Sequence, residues 1–237
     1  MATPVIDLTV CTPVVPQLKD FNTSAVLPLG LTIEHVRSAM TEFTEFLGFI
    51  DAELCKKGME RFEEMLMSAN FSSMVGEFMT ASIPKYCTAV VKNTYHNGHP
   101  DILPAGKYAG DAAQHAGADG IEIKASRYKS GWQGHNAEDA WLMVFVFEAG
   151  RASDVRKKIK KAPFRFIKVC GALLSKDDWK FSGRIGTSRR TITASVTKSG
   201  YKKMMANWIY KVPVPGKVAR RASVKRKGSL LSVNDKV

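Results

Sequence analysis

Apolar residues recur at helical spacing along the first third of the chain. After Thr32, a favourable N-cap, Ile33, Val36, Met40, Phe43, Leu47, Ile50 and Leu54 follow at steps of three and four, which places them on one helix face. The pattern breaks at Cys55-Lys56-Lys57-Gly58, and Met59, Phe62, Leu66 and Ala69 open a second amphipathic piece. Residues 72–83 predict another helix, closed by Pro84. The period then changes to that of strands. Tyr86 to Lys92 reads as a strand, Asn97-Gly98 as a hairpin turn, and Ile121, Ile123 and Ala125 alternate with Glu122 and Lys124. Trp141 to Phe147 is apolar without interruption, as in a strand buried on both faces. Phe164 to Val169 and Arg189 to Val196 read as further strands, and Lys198 opens a helix carrying Tyr201, Met204, Met205, Trp208 and Ile209.

These elements predict an α/β protein in four parts. Residues 1–31, with Pro4, Pro13, Pro16 and Pro28, form an extended arm lying on the body or on a partner subunit. Residues 32–69 form a helical accessory or dimerisation region, whose seam either zips against a second copy or packs on its own domain. Residues 70–211 form the core, and 212–237 a basic disordered tail.

Charge divides the chain more sharply than hydropathy does. Residues 1–150 hold 11 Lys/Arg against 18 Asp/Glu, whereas residues 151–237 hold 24 against 4. A half-chain of net charge +20 predicts a polyanionic partner, most simply nucleic acid, because neutralising phosphates releases counterions. Cys11, Cys55, Cys87 and Cys170 have no metal-ligand spacing and read as reduced thiols. No basic start is followed by an apolar run, and no run is long enough to span a bilayer, so the expectation is a cytoplasmic protein with no membrane partner.

The chemistry concentrates in His99-Pro100-Asp101 and Glu122-Ile123-Lys124. If Pro100-Asp101 opens a strand beside the second segment, Asp101 lies against Glu122, with Lys124 two residues on along the same face. Two close carboxylates call for a divalent cation, and hard oxygen ligands suggest Mg²⁺. Lys124 would orient a water or steady negative charge on a phosphate. His96 and His99 read as exposed polar residues framing the turn, with a metal-binding pair as the alternative.

Pro100-Asp101, twenty residues, then Glu122-Ile123-Lys124 resembles the PD-(D/E)xK motif of restriction-endonuclease-like nucleases. The resemblance implies a mixed central sheet flanked by helices: a helix, a three-stranded meander carrying the Asp and the Glu-x-Lys, then a helix and another strand. It implies Mg²⁺ on Asp101, Glu122 and the Ile123 carbonyl, a Lys124 that positions or activates the attacking water, and products with a 5′-phosphate and a 3′-hydroxyl. Many members carry an acidic residue on the first helix, and Glu77 is the matching position, the alternative being a solvent-facing glutamate. The departure from the pattern is the linking helix between Lys124 and Trp141, which is short or absent. Lys107, Arg127, Lys129, Gln133, His135, Asn136, Arg184, Arg189, Arg190, Lys202 and Lys203 are the expected DNA contacts, by charge and by the mixed basic, aromatic and amide composition of their segments. The expected function is a type II restriction endonuclease, a homodimer cutting double-stranded DNA at a short sequence. Two alternatives are a structure-selective nuclease of the same superfamily and a non-enzymatic basic DNA-binding protein.

Overall fold

The computed structural model describes residues 8–134, 137–156, 161–181 and 193–213. After 3-10 turns at Leu8–Cys11 and Leu18–Asp20 come three α-helices: α1 (Ile33–Lys56), the single turn α2 (Phe62–Met65) and α3 (Ser68–Tyr86). The strands follow as β1 (Val90–Lys92), β2 (Ile102–Pro104), β3 (Ile121–Ser126), β4 (Gln133–Gly134) and β5 (Ala140–Glu148). After the short α4 (Ala152–Arg156) come β6 (Arg165–Leu174), β7 (Trp179–Phe181), β8 (Ala194–Val196), α5 (Lys198–Ala206) and β9 (Trp208–Lys211). Six strands form a mixed sheet in the order β1-β2-β3-β5-β6-β9, and β4-β8-β7 form a second, three-stranded sheet. Within the large sheet only β3 and β5 run parallel. Among the described residues no helix is long and apolar enough to cross a membrane.

Strand β5 shows why the sheet has two covered faces. Met143, Phe145 and Phe147 point into one core with Met40, Phe43 and Leu47 of α1 and Phe71, Val75 and Met79 of α3. Leu142, Val144 and Val146 point into a second core with Trp132, Val196 and Met204. Val36, Met40, Phe43 and Leu47 of the α1 seam therefore pack within the chain, in the same core as the sheet. Thr32 caps α1 as expected, its hydroxyl accepting from His35 N while His35 Nδ1 accepts from Thr32 N.

Several boundaries differ from the expectation for identifiable reasons. Helix α3 runs through Pro84 to Tyr86. Pro84 sits in the last turn, and burial of Phe71, Val75, Met79 and Ile83 outweighs the one bond it forgoes. Trp208 and Ile209, expected to continue the last helix, belong to β9. Asn207 ends α5 by donating to Val26 O and Gly171 O and accepting from Val26 N, so the chain turns back along β6. Cys11 and Cys55 are not reduced thiols but form a disulfide, because the N-terminal arm folds back onto the end of α1. Cys87 and Cys170 are free and buried.

Arg61 is buried at the junction of arm, α2 and sheet. Its guanidinium donates to Val10 O, Ala162 O and Glu64, and lies 3.1 Å from Glu63. Burial, together with the neighbouring Glu63, pushes the carboxyl of Asp51 up to about 7, although Phe62 N donates to it. Below about pH 4 the folded and unfolded forms of Asp51 are both protonated. As pH rises to about 7 only the folded form keeps its proton, so stability from this group falls over that window. In Asp51→Asn the carbonyl still accepts from Phe62 and the amide donates to Glu63. The variant should match the wild type near pH 4 and be more stable by ~2 kcal/mol at pH 8. Urea titrations at the two pH values check this, and equal stability at pH 8 would refute it.

Candidate active site

The β1–β2 hairpin and β3 bring the motif together. Ile102 of β2 pairs with Ile121 of β3, antiparallel, which sets Asp101 against Glu122. Strand β3 alternates as expected: Ile121 and Ile123 enter the core under α1 and α3, and Glu122 and Lys124 lie on the other face. Because β2 is only three residues long, the edge of β3 beyond it is open. Ile123 N on that edge donates to Asp101 Oδ2 at 2.7 Å. A cleft of about 1050 Å³ opens here, walled by Asp101, Glu122, Lys124, Glu77 and Gly76 of α3, and Glu138 and Trp179 from the far side.

Asn93 holds the approach to Asp101. Its buried amide donates to Pro100 O and Ala113 O and accepts from Tyr95 N and Ala113 N, so all its hydrogen-bonding capacity is spent on three loops. Asp101 follows this pinned segment directly, which makes its position a property of the backbone.

The charges are strongly coupled. Burial, and then the adjacent charge of Glu122, push the Asp101 carboxyl up to about 7, against the pull of Lys124 and the Ile123 N–H. Burial also acts to raise Glu122, but contacts with His99 and Lys124 outweigh it and hold that carboxyl at about 2. Lys124 forms an ion pair with Glu122, and the two carboxylates keep its pKa above the ordinary lysine value despite burial. The site therefore holds one ionised carboxylate and one that keeps its proton until near neutrality. This is the response of an oxygen cage that a divalent cation would neutralise. Two carboxylates and the Ile123 carbonyl leave room for waters, the ligation that Mg²⁺ prefers, so the residues fit that ion.

Two residues of the site were not expected there. His99 is not an exposed turn residue: its ring is 21% exposed, with Nδ1 2.9 Å from Glu122 Oε2 and Nε2 2.9 Å from Glu138 Oε2. Burial alone would lower its pKa, but Glu122, Glu138 and Asp101 raise it. Glu138 arrives from the β3–β5 link, where nothing local marks it. That link contains β4 and no helix among its described residues, the shorter of the two arrangements the sequence left open.

The other expected residues scatter. Glu77 lines the cleft, but its side chain is 70% exposed and pairs with Lys92 at 3.2 Å. Lys107 pairs with Asp119 at 2.6 Å on the surface. Arg127 points inward, donating to Ala149 O with its guanidinium over the rings of Phe71 and Phe147, and burial lowers its pKa to about 10. Lys129 is exposed, 3.9 Å from Glu148, and Gln133 is exposed on β4 beside Ser195. Lys202 is exposed on α5, while Lys203 pairs with buried Asp178 at 2.7 Å. His135, Asn136, Arg184, Arg189, Arg190 and the basic tail from residue 214 lie outside the described residues. Comparison of the chain with protein-family models and with curated proteins finds no match.

Proposed function

We propose that this protein is a Mg²⁺-dependent endonuclease of double-stranded DNA, restriction-endonuclease-like in fold and type II in action. The observation that carries the reading is the register of β2 on β3, with Asp101 against Glu122 and Lys124 next along the same face at an open sheet edge. The antiparallel meander β1-β2-β3 after a helix, and the basic half-chain, add to it. Asp101, Glu122 and the Ile123 carbonyl would hold Mg²⁺, which when bound supplies charge at the scissile phosphate and a more acidic water. Lys124 then offers a fixed ammonium donor to that water or to a phosphate oxygen. Cutting both strands in one encounter needs two such sites, so the reading includes a homodimer.

Incubating plasmid DNA with the protein and Mg²⁺ tests the proposal. Discrete, reproducible fragments with 5′-phosphate ends at one short sequence are expected, together with a dimeric mass by sedimentation. Intact plasmid with both Mg²⁺ and Mn²⁺, on linear and branched DNA alike, would overturn it. Cutting confined to branched or free-ended DNA would leave a nuclease but replace the type II reading.

A further inference from the structure

We infer that His99 is a positioning residue of this site, fixing Glu122 through Nδ1 and tying it through Nε2 to Glu138 of the β3–β5 link. The inference rests on the nuclease reading for its consequence in cleavage, and on geometry for the rest.

The backbone of His99 has little freedom. Its N–H donates to Gln114 O at 3.0 Å, and its carbonyl accepts from Ala116 N at 2.8 Å. The next two residues are held by the Asn93 contact to Pro100 O and the Asp101 contact to Ile123 N. With the backbone pinned, the ring orientation is set by what its two nitrogens meet. One of them lies 2.9 Å from Glu122 Oε2, leaving Oε1 to Lys124. Each oxygen of Glu122 therefore has its own partner. Without the ring, a desolvated carboxylate beside Asp101 would turn to Lys124 alone, and the pair would lose the orientation that a cation needs.

The other nitrogen extends the chain of contacts. Nε2 lies 2.9 Å from Glu138 Oε2, although it makes no hydrogen bond of good geometry there. Glu138 is fixed in turn, since its carbonyl accepts from Trp179 Nε1 at 2.9 Å and the neighbouring Asp139 accepts from Lys176 N at 2.9 Å. Trp179 belongs to the three-stranded sheet, whose Gln133 and Ser195 meet on the exposed side. The sequence Trp179, Glu138, His99, Glu122 thus links that sheet to a proposed metal ligand.

Asparagine places an amide nitrogen where His Nδ1 stands, and glutamine places one where Nε2 stands, so the two contacts can be separated. Mn²⁺ affinity of the DNA-free protein, read by electron paramagnetic resonance, should fall ~10-fold in His99→Ala. It should recover in His99→Asn and stay low in His99→Gln, with Glu138→Gln showing a smaller loss in the same direction. In cleavage, the half-saturating Mg²⁺ concentration should rise by a similar factor, with the KM for DNA unchanged. Wild-type Mn²⁺ affinity in His99→Ala, or equal behaviour of the Asn and Gln variants, would overturn the inference. If His99→Ala does not fold, as judged by circular dichroism, the Asn and Gln pair decides. A wild-type protein that binds no Mn²⁺ overturns this inference and the nuclease reading together. One that binds Mn²⁺ but leaves all DNA intact sinks the nuclease reading alone, and the affinities then decide the role of His99.

Discussion

Asp101→Asn should abolish Mg²⁺-dependent cleavage, by about 10³-fold or more, and at the same time make the metal-free protein more stable. The two effects have one cause. Asp101 and Glu122 are buried side by side, and the Asp101 carboxyl is held up at about 7 from an ordinary value of 3.8. Above pH 7 the folded protein must carry both charges, so stability from this group declines between about pH 4 and pH 7 and stays low beyond. An asparagine accepts the hydrogen bond from Ile123 N through its carbonyl and donates to Glu122 through its amide. The repulsion is gone, and with it one proposed ligand. In EDTA at pH 8 the variant should melt several degrees above the wild type. Added Mg²⁺ reverses the order of gain: at ten times its Kd it adds about 1.4 kcal/mol to the wild type and little to the variant. Melting curves with and without Mg²⁺, run beside plasmid digestion, check both halves. A variant that cuts normally would sink the nuclease assignment of Asp101. A variant that melts lower in EDTA would sink the account of its burial. Stability given up to hold charge in place is the expected cost of a functional carboxylate pair.

What was legible in the sequence was whatever a local period or a turn determines. The two-residue alternation of Ile121 to Ala125 set which side chains face the cleft, whereas Asn97-Gly98, read as a hairpin turn, closes a Tyr95–Gly98 turn inside the longer connection from β1 to β2. The meeting of Asp101 with Glu122 further requires the register of Ile102 on Ile121, which the twenty residues between the two motifs do not record. The long buried strand β5 was legible from its apolar run, since only a strand covered on both sides hides Leu142 and Met143 alike. His99 and Glu138 were not legible in their roles, because their meeting depends on how the link folds over β3, and no short spacing records that path. Arg127 was read outward because its neighbours Tyr128 and Lys129 are polar and exposed. Phe71 and Phe147, which draw it inward, lie 56 positions before it and 20 after. Strand β9 was read as helix because Trp208 and Ile209 keep the helical spacing of Met204 and Met205. The side chain of Asn207, bonded to residues 26 and 171, overrides that spacing.

Gly120→Ala should be among the most damaging methyl additions at the described glycines. Its φ of −139° is ordinary extended backbone, so the substitution carries no conformational strain of its own. The damage is steric. A Cβ at residue 120 would overlap the carbonyl oxygen of Ile102 and the ring of Pro100, the residues on either side of Asp101. Backbone cannot yield there without parting β2 from β3, whose pairing consists of Ile102 on Ile121. A loss of about 3 kcal/mol is expected, beyond the few tenths that alanine returns by stiffening the unfolded chain, and the melting temperature should fall by about 6–12 °C. Cleavage should fall further than stability explains, because the strands that separate are the two that carry the carboxylates. Gly106→Ala supplies the contrast. Gly106 has a φ of +71° with nothing within 4 Å of its would-be Cβ, so alanine there meets conformational cost alone, about 1 kcal/mol, and leaves Asp101 in place. Digestion at a temperature where both variants are folded separates the two effects. Gly106→Ala should then cut as the wild type does, while Gly120→Ala does not. Equal cleavage by the two would mean that the register of β2 on β3 does not govern the site.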